Sequence, residues 1–270
     1  MEQRPRLIAT DLDGTLLRPD LTVSARTVDT LTRISAEGRH VVLVTGRPIR
    51  WLQQVYDHLD TPLTAVCANG AVVYDPVDDV VLRADPLAPD LLAEVARRLR
   101  AQVPGVSLAV EISDGREMRH EAHYPARRDR EHETMRAVDA PAELLAAPAV
   151  KLLARAIDQD PDAFVKVVAG ALEGLAEATH SSYSGLVEIS AAGITKAAGL
   201  AWLCDRYGVD AGEVVAFGDM PNDVPMLTWA GRAVAVANAH PAVLEIANEV
   251  TGSNAEDGVA TYLEKLFPAS

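Results

Sequence analysis

Short apolar, β-branched runs alternate with helix-length amphipathic segments through the first third of the chain, and this rhythm leaves few folds open. Arg6 to Thr10 and Val41 to Thr45 each read as a buried strand that ends in a polar loop. Between them Ser24 suits a helix N-cap, Val28, Leu31 and Ile34 share one face, and Gly38 is placed to end the helix. Leu63 to Ala68, followed by Asn69-Gly70, repeats the theme. Buried strands joined by helices make a parallel sheet covered on both faces. The expected fold class is therefore α/β, with a Rossmann-like doubly wound parallel sheet as its core.

From about Asp85 to Gly185 the texture changes: prolines punctuate the chain, and Arg116 to Arg136 is dense in mixed charge. Strands are expected at Val106 to Ile112, Val150 to Ile157 and Leu175 to His180, with a helix opening at Pro161. This stretch reads as a mixed α+β unit inserted into the first. The original rhythm then returns with strand Leu186 to Ser190, helix Lys196 to Tyr207, strands Val214 to Gly218 and Ala233 to Ala237, and a last helix Val259 to Phe267. A core of residues 1–84 and 186–270 and an insert of 85–185 follow. Hinges are expected near Ala84-Asp85-Pro86 and Ser184-Gly185.

A chain of 270 residues can fill two compact units, and 49% hydrophobic with 24% charged residues is ordinary for a globular protein. The 25 basic against 39 acidic residues leave a formal charge of −14, which repels nucleic acid and anionic membranes. With only 4% aromatic residues, stacking platforms for bases are not expected either. An anionic substrate must then be held by local positive charge or by a metal. Cys67 and Cys204 sit in apolar stretches and read as buried free thiols. No signal-peptide pattern and no clean membrane span is evident, so a cytoplasmic protein is expected, a monomer or weak homodimer.

Four motifs carry chemistry, each at the end of an expected strand, where open α/β sheets bind ligands. Asp11-Leu12-Asp13-Gly14-Thr15 places two carboxylates two residues apart. Thr45-Gly46-Arg47 offers a hydroxyl and free backbone N–H groups, a seat for phosphate or carboxylate. Lys196 opens an expected helix, where the positive end of the dipole opposes a cation unless an anion faces it. Asp219, Asn222 and Asp223 crowd hard oxygen ligands into five positions, a donor set suited to Mg²⁺. His120 and His123 are three apart, not the four that a pair of zinc ligands on a helix requires.

Read together, D-x-D-G-T-L, T-G-R, the lone lysine and G-D-x-x-N-D-x-P-M-L resemble the haloacid dehalogenase superfamily of phosphatases. The last motif, the insert after Asn69-Gly70-Ala71, and Asn238-Ala239-His240-Pro241 look most like its Cof-type subfamily, which carries a type IIB cap. The resemblance implies a Mg²⁺-dependent phosphatase acting on small phosphate esters, with sugar phosphates foremost. Asp11 would be the nucleophile that forms an aspartyl-phosphate, and Asp13 the general acid and base. That role requires surroundings that let Asp13 carry a proton near neutrality. Asp11, the backbone carbonyl of Asp13, and Asp219 would hold the Mg²⁺, with Asp223 supporting a water or Lys196. Thr45, Gly46, Lys196 and Asn222 would bind the phosphoryl group, and the insert would act as a lid. A phosphomutase or a dedicated sugar-phosphate phosphatase, and an inactive phosphometabolite-binding regulator, are the alternatives.

Overall fold

A computed structural model describes residues 4–125, 134–156, 159–181 and 185–268. The chain runs β1 (Leu7–Thr10), α1 (Ala25–Ala36), β2 (His40–Val44), α2 (Gln53–Tyr56), β3 (Ala65–Cys67), β4 (Val72–Asp75) and β5 (Val80–Ala84). It continues through α3 (Pro89–Gln102), β6 (Ser107–Ile112), β7 (Glu117–Glu121), β8 (Met135–Val138), α4 (Pro141–Leu144), β9 (Ala149–Arg155), α5 (Pro161–Ala171), β10 (Ala176–Thr179) and β11 (Leu186–Ala191). It ends with α6 (Lys196–Tyr207), β12 (Val214–Gly218), α7 (Val224–Trp229), β13 (Arg232–Ala235), α8 (Pro241–Ile246), β14 (Glu249–Val250) and α9 (Gly258–Leu266).

The first sheet has the order β14-β13-β12-β1-β2-β3-β4-β5, parallel from β14 to β3 and closed by an antiparallel β3-β4-β5 meander. Every residue of β1 and β12 is buried, which is why these strands read as unbroken apolar runs. Helices cover the sheet with amphipathic faces; in α1, Ser24 caps the N-terminus by accepting from the Thr27 N–H, and Val28, Leu31 and Ile34 are buried. The chain leaves β1 toward β2 on one side and later returns to place β12 on the other. Strand order thus reverses between β1 and β12, and the crevice at their carboxyl ends is where such sheets bind ligands.

The second sheet has the order β10-β11-β9-β6-β7-β8 and its own hydrophobic cluster under α3 and α5. Here the structure corrects the expected boundary. Leu186–Ala191, assigned from sequence to the returning core, pairs antiparallel with β9 and β10 and so belongs to the inserted sheet. Periodicity reports that a strand is buried, not which sheet buries it. The passage back to the first sheet accordingly lies at residues 192–195 and not at 184–185; Ser184 itself lies outside the described residues. On the entry side the chain passes after β5, where the Asp85 N–H bonds the Ala71 carbonyl and Leu87 bridges Ala149. Among the described residues no helix is long and apolar enough to cross a membrane.

One close approach ties the two halves of the first sheet together at the crevice. Gly70 has φ +101°, and a β-carbon there would lie 1.9 Å from the Thr195 carbonyl oxygen, at the N-cap of α6. Gly70→Ala is expected to lower unfolding stability by about 2–3 kcal/mol, from the left-handed backbone and the backbone clash together. Urea denaturation checks this; an unchanged midpoint contradicts the close packing.

Candidate active site

The loop after β1 is held against its parallel neighbour. The Asp11 N–H donates to the Phe217 carbonyl of β12 at 3.0 Å, so Asp11 leaves β1 beside the point where Asp219 leaves β12. Thr15 of the same loop donates its hydroxyl to Asp219 Oδ1 at 2.8 Å. Asn238, three residues past β13, donates to the Gly14 carbonyl at 2.8 Å.

Lys196 enters this crevice from the first turn of α6, capped by Thr195, whose side chain accepts from the Ala198 N–H. Its ammonium lies 2.6 Å from Asp11 Oδ1 and 2.6 Å from Asp223 Oδ1, and its side chain is fully buried. The conflict visible in the sequence, a cation at the positive end of a helix, is thereby resolved by two anions. Asp223 has no carboxylate oxygen to spare: Oδ2 accepts from the Asp219 and Met220 N–H groups at 3.0 Å each. It positions Lys196 and the 219–220 backbone simultaneously.

Carboxylate oxygens of Asp11, Asp219 and Asp223 all lie within 4.8 Å of one another, and all three residues are buried. Burial, opposed by Lys196 and reinforced by Asp223 and Asp219, raises Asp11 well above the usual carboxylate range. Burial and Asp223 push Asp219 up to about 7, although the Thr15 hydroxyl works the other way. Burial also works against the Lys196 ammonium, yet Asp11 and Asp223 hold its pKa above the ordinary lysine value. Asp11 and Asp219, with the charge of Asp223 beside them, offer hard carboxylate oxygens that a divalent cation fits.

The remaining expected residues lie around this cluster. The Asp13 carboxylate is gripped through two hydrogen bonds of 2.6 Å by Arg47, the third residue of Thr45-Gly46-Arg47. Thr45 is buried, and its side-chain oxygen accepts from the Arg47 N–H at 3.0 Å. Asn222 is buried and donates to Asn69 Oδ1 at 3.1 Å, while Gly46 lies under the inserted sheet. The sequence reading gave no role to Arg47, Thr15 or Asn69. Arg47 and Thr15 stood inside the motifs themselves, and Asn69 followed a strand end, so their positions were the available signal. It also passed over Glu111, Lys151 and Glu188, lone charges in the apolar runs SLAVEI, AVKLLA and LVEISA. Cys67 and Cys204 are free and buried as expected, and burial pushes each thiol up to about 12.

A stability signature follows from Asp219. A carboxyl raised from 3.8 to about 7 binds more protons in the folded than in the unfolded state between those values. Its contribution is present below pH 4 and is lost as pH rises through 7. Cation binding relieves the loss. The Tm gained on adding Mg²⁺ to chelator-treated protein is therefore expected to be larger at pH 8 than at pH 5, and Asp219→Asn should flatten the difference. An equal gain at both pH values contradicts the cluster as the binding site.

Comparisons with known proteins place the chain in a family. The family model of haloacid dehalogenase-like hydrolases matches residues 8–263. The chain is 34% identical to the 5-amino-6-(5-phospho-D-ribitylamino)uracil phosphatase YitU of Bacillus subtilis, over 99% of each chain. It is 31% identical to the pyridoxal phosphate phosphatase YbhA of Escherichia coli, over 96% of this chain and 97% of that one. Among solved structures, a phosphatase of the same superfamily from Bacteroides thetaiotaomicron superposes with a TM-score of 0.81 at 26% identity, covering 97% of this chain and 95% of that one. With the family pattern spanning both sheets, the chain belongs to the haloacid dehalogenase-like hydrolases of Cof type and is a phosphoric monoester hydrolase.

Proposed function

We propose that this enzyme hydrolyses small phosphate monoesters, sugar and polyol phosphates or related metabolites, with Mg²⁺ and through an aspartyl-phosphate on Asp11. What carries the reading is the buried Lys196 ammonium shared between Asp11 and Asp223 beside the Asp219 carboxylate, at the crevice where strand order reverses. The relatives named for phosphoribitylamino-uracil and pyridoxal phosphate support substrates of this size. The two free, buried cysteines support a reducing, cytoplasmic setting.

Lys196 occupies Asp11 Oδ1, which leaves Oδ2 as the attacking oxygen. As the new P–O bond forms, the ester P–O bond breaks and the departing alkoxide takes a proton from Asp13. Asp13 then takes a proton from a water that attacks phosphorus, which frees phosphate and restores Asp11. Both Asp13 oxygens are held by the Arg47 guanidinium as an ion pair, which is not the proton-retaining setting expected of the acid, so the carboxyl must part from Arg47 before it can carry a proton to the leaving group. Thr45, Gly46, Lys196 and Asn222 hold the phosphoryl oxygens, offsetting the repulsion expected of a protein with charge −14. Asp11, Asp219 and the Asp13 backbone carbonyl would hold Mg²⁺, with Asp223 acting through Lys196. When bound, the ion supplies positive charge to the phosphoryl oxygens and to Asp11. Residues 85 to 191 act as a cap that excludes water during the first step.

Two kinetic predictions test the roles. With Mg²⁺ and a panel of phosphate esters, Asp11→Asn should lose at least about a thousandfold in phosphate release, about 4 kcal/mol of barrier. Near-normal turnover in that variant removes Asp11 as nucleophile. Asp13→Asn should slow esters with poor alkoxide leaving groups far more than p-nitrophenyl phosphate, whose phenolate needs little protonation. Equal losses on both kinds of ester contradict the acid role. Isomerised ester in place of free phosphate would instead mark a mutase.

A further inference from the structure

The inserted sheet presents an unusual underside to the crevice. Along β6, β9 and β11 alternate residues face opposite ways. Leu108 and Val110, Leu152 and Ala154, and Val187 and Ile189 pack under α3 and α5. The opposite face carries Glu111, Lys151 and Glu188, all buried. Arg50 of the first sheet's loops meets Glu111 across the boundary, and Lys151 and Glu188 reach further, onto the phosphate-site loops themselves.

Lys151 donates to Glu188 Oε1 at 2.7 Å and to the Gly46 carbonyl at 2.5 Å. The Gly46 backbone lies so close that a β-carbon there would sit 3.1 Å from Asn69 Oδ1 and 3.4 Å from the Glu188 carboxylate. Glu188 Oε2 accepts from the Asn69 amide at 3.1 Å, and Asn69 Oδ1 accepts from the Asn222 amide at 3.1 Å.

This chain of bonds has a direction. A carboxylate only accepts, so Glu188 demands the N–H of Asn69. Asn69 must then present oxygen on its other side, and Asn222 must answer with N–H. Turning either carboxamide over would set two oxygens face to face. Asn222 Oδ1 is in consequence buried without a hydrogen-bond partner among the described residues. An amide left to itself avoids that penalty, so its orientation is imposed from outside. Burial opposes the Glu188 charge, but the Lys151 ammonium and the Asn69 amide outweigh it and hold its carboxyl below the ordinary value.

We infer that Lys151 and Glu188 are positioning residues for phosphoryl binding: with the cap sheet seated, they fix the Gly46 carbonyl directly and the Asn222 carboxamide through Asn69. The phosphate site is complete only when these two cap strands rest on it. This rests on the phosphatase reading above, and it extends that reading to cap residues that touch neither the nucleophile nor the carboxylate cluster.

Direct binding of inorganic phosphate in the presence of Mg²⁺, followed by titration calorimetry, tests it without turnover. Glu188→Gln, which can present an N–H where only an acceptor stood, should weaken phosphate binding about tenfold, the scale of one charge-assisted hydrogen bond. Asn69→Gly removes the middle of the relay without backbone strain, because Asn69 already has φ 57°, and should weaken binding by about the same factor. Since both interrupt one chain, the double variant should be no more than about twofold weaker than either single. Phosphate affinity unchanged in both singles, with only the melting temperature lowered, reduces the pair to a structural contact and overturns the proposal. Fully multiplicative losses overturn it as well, because the residues then act separately. If Glu188→Gln does not fold, Asn69→Gly alone decides: wild-type affinity contradicts the relay. Wild-type protein that binds no phosphate fails at an earlier point, the phosphate site itself, and takes the proposal with it.

Discussion

One buried cation organises the crevice. Lys196 has no exposed side-chain surface and faces two carboxylates at 2.6 Å, with a third alongside. An ammonium stripped of water is tolerated only when anions surround it closely, and carboxylates packed together are tolerated only when cations do the same. Each group therefore depends on the others. The helix that delivers Lys196, the loop that delivers Asp11 and the 219–223 turn must all arrive in register for any of them to be stable. With three carboxylates against one ammonium the cluster still carries excess negative charge, which explains why burial and mutual repulsion drive Asp11 and Asp219 toward protonation when no further cation is bound.

The same principle organises the roof. The underside of the inserted sheet carries three buried charged residues, each matched by a partner on the loops of the first sheet: Glu111 by Arg50, Lys151 by the Gly46 carbonyl, Glu188 by Asn69. Apolar contacts would hold two layers together at less risk, since a buried pair offers little net stability over well-packed hydrophobes. Polar contacts instead specify one seating, because any other leaves charges unpaired. The inserted sheet and the loops beneath it are thus fitted to each other by hydrogen-bond direction.

Much of this was legible in the sequence where the controlling interactions are local. Helix Lys196–Tyr207 and strand Val214–Gly218 have the ends expected from their caps and apolar run. The carboxylates of Asp11, Asp219 and Asp223 announced themselves by standing where apolar strands stop. Less local features were hidden. The strand Leu186–Ala191 carries the same alternation whichever sheet it joins, so only pairing with β9 and β10 assigns it. Glu117–Glu121 has almost no apolar alternation, because its polar side chains are satisfied by residues from elsewhere; Glu121 binds Arg100 and the Leu108 N–H. Arg47, Asn69, Lys151 and Glu188 act on partners 34 to 153 residues away, a relation that local spacing does not encode.

The proposed chemistry turns on whether Asp11 itself carries the phosphoryl group. Rapid acid quench during turnover, followed by borohydride reduction and peptide mass spectrometry, reads it directly, since reduction of an acyl phosphate converts aspartate to homoserine. Homoserine is expected at position 11 in wild-type protein mixed with a phosphate ester and Mg²⁺, and none without substrate. Steady phosphate release with position 11 unmodified, or with the label on another residue, would contradict it.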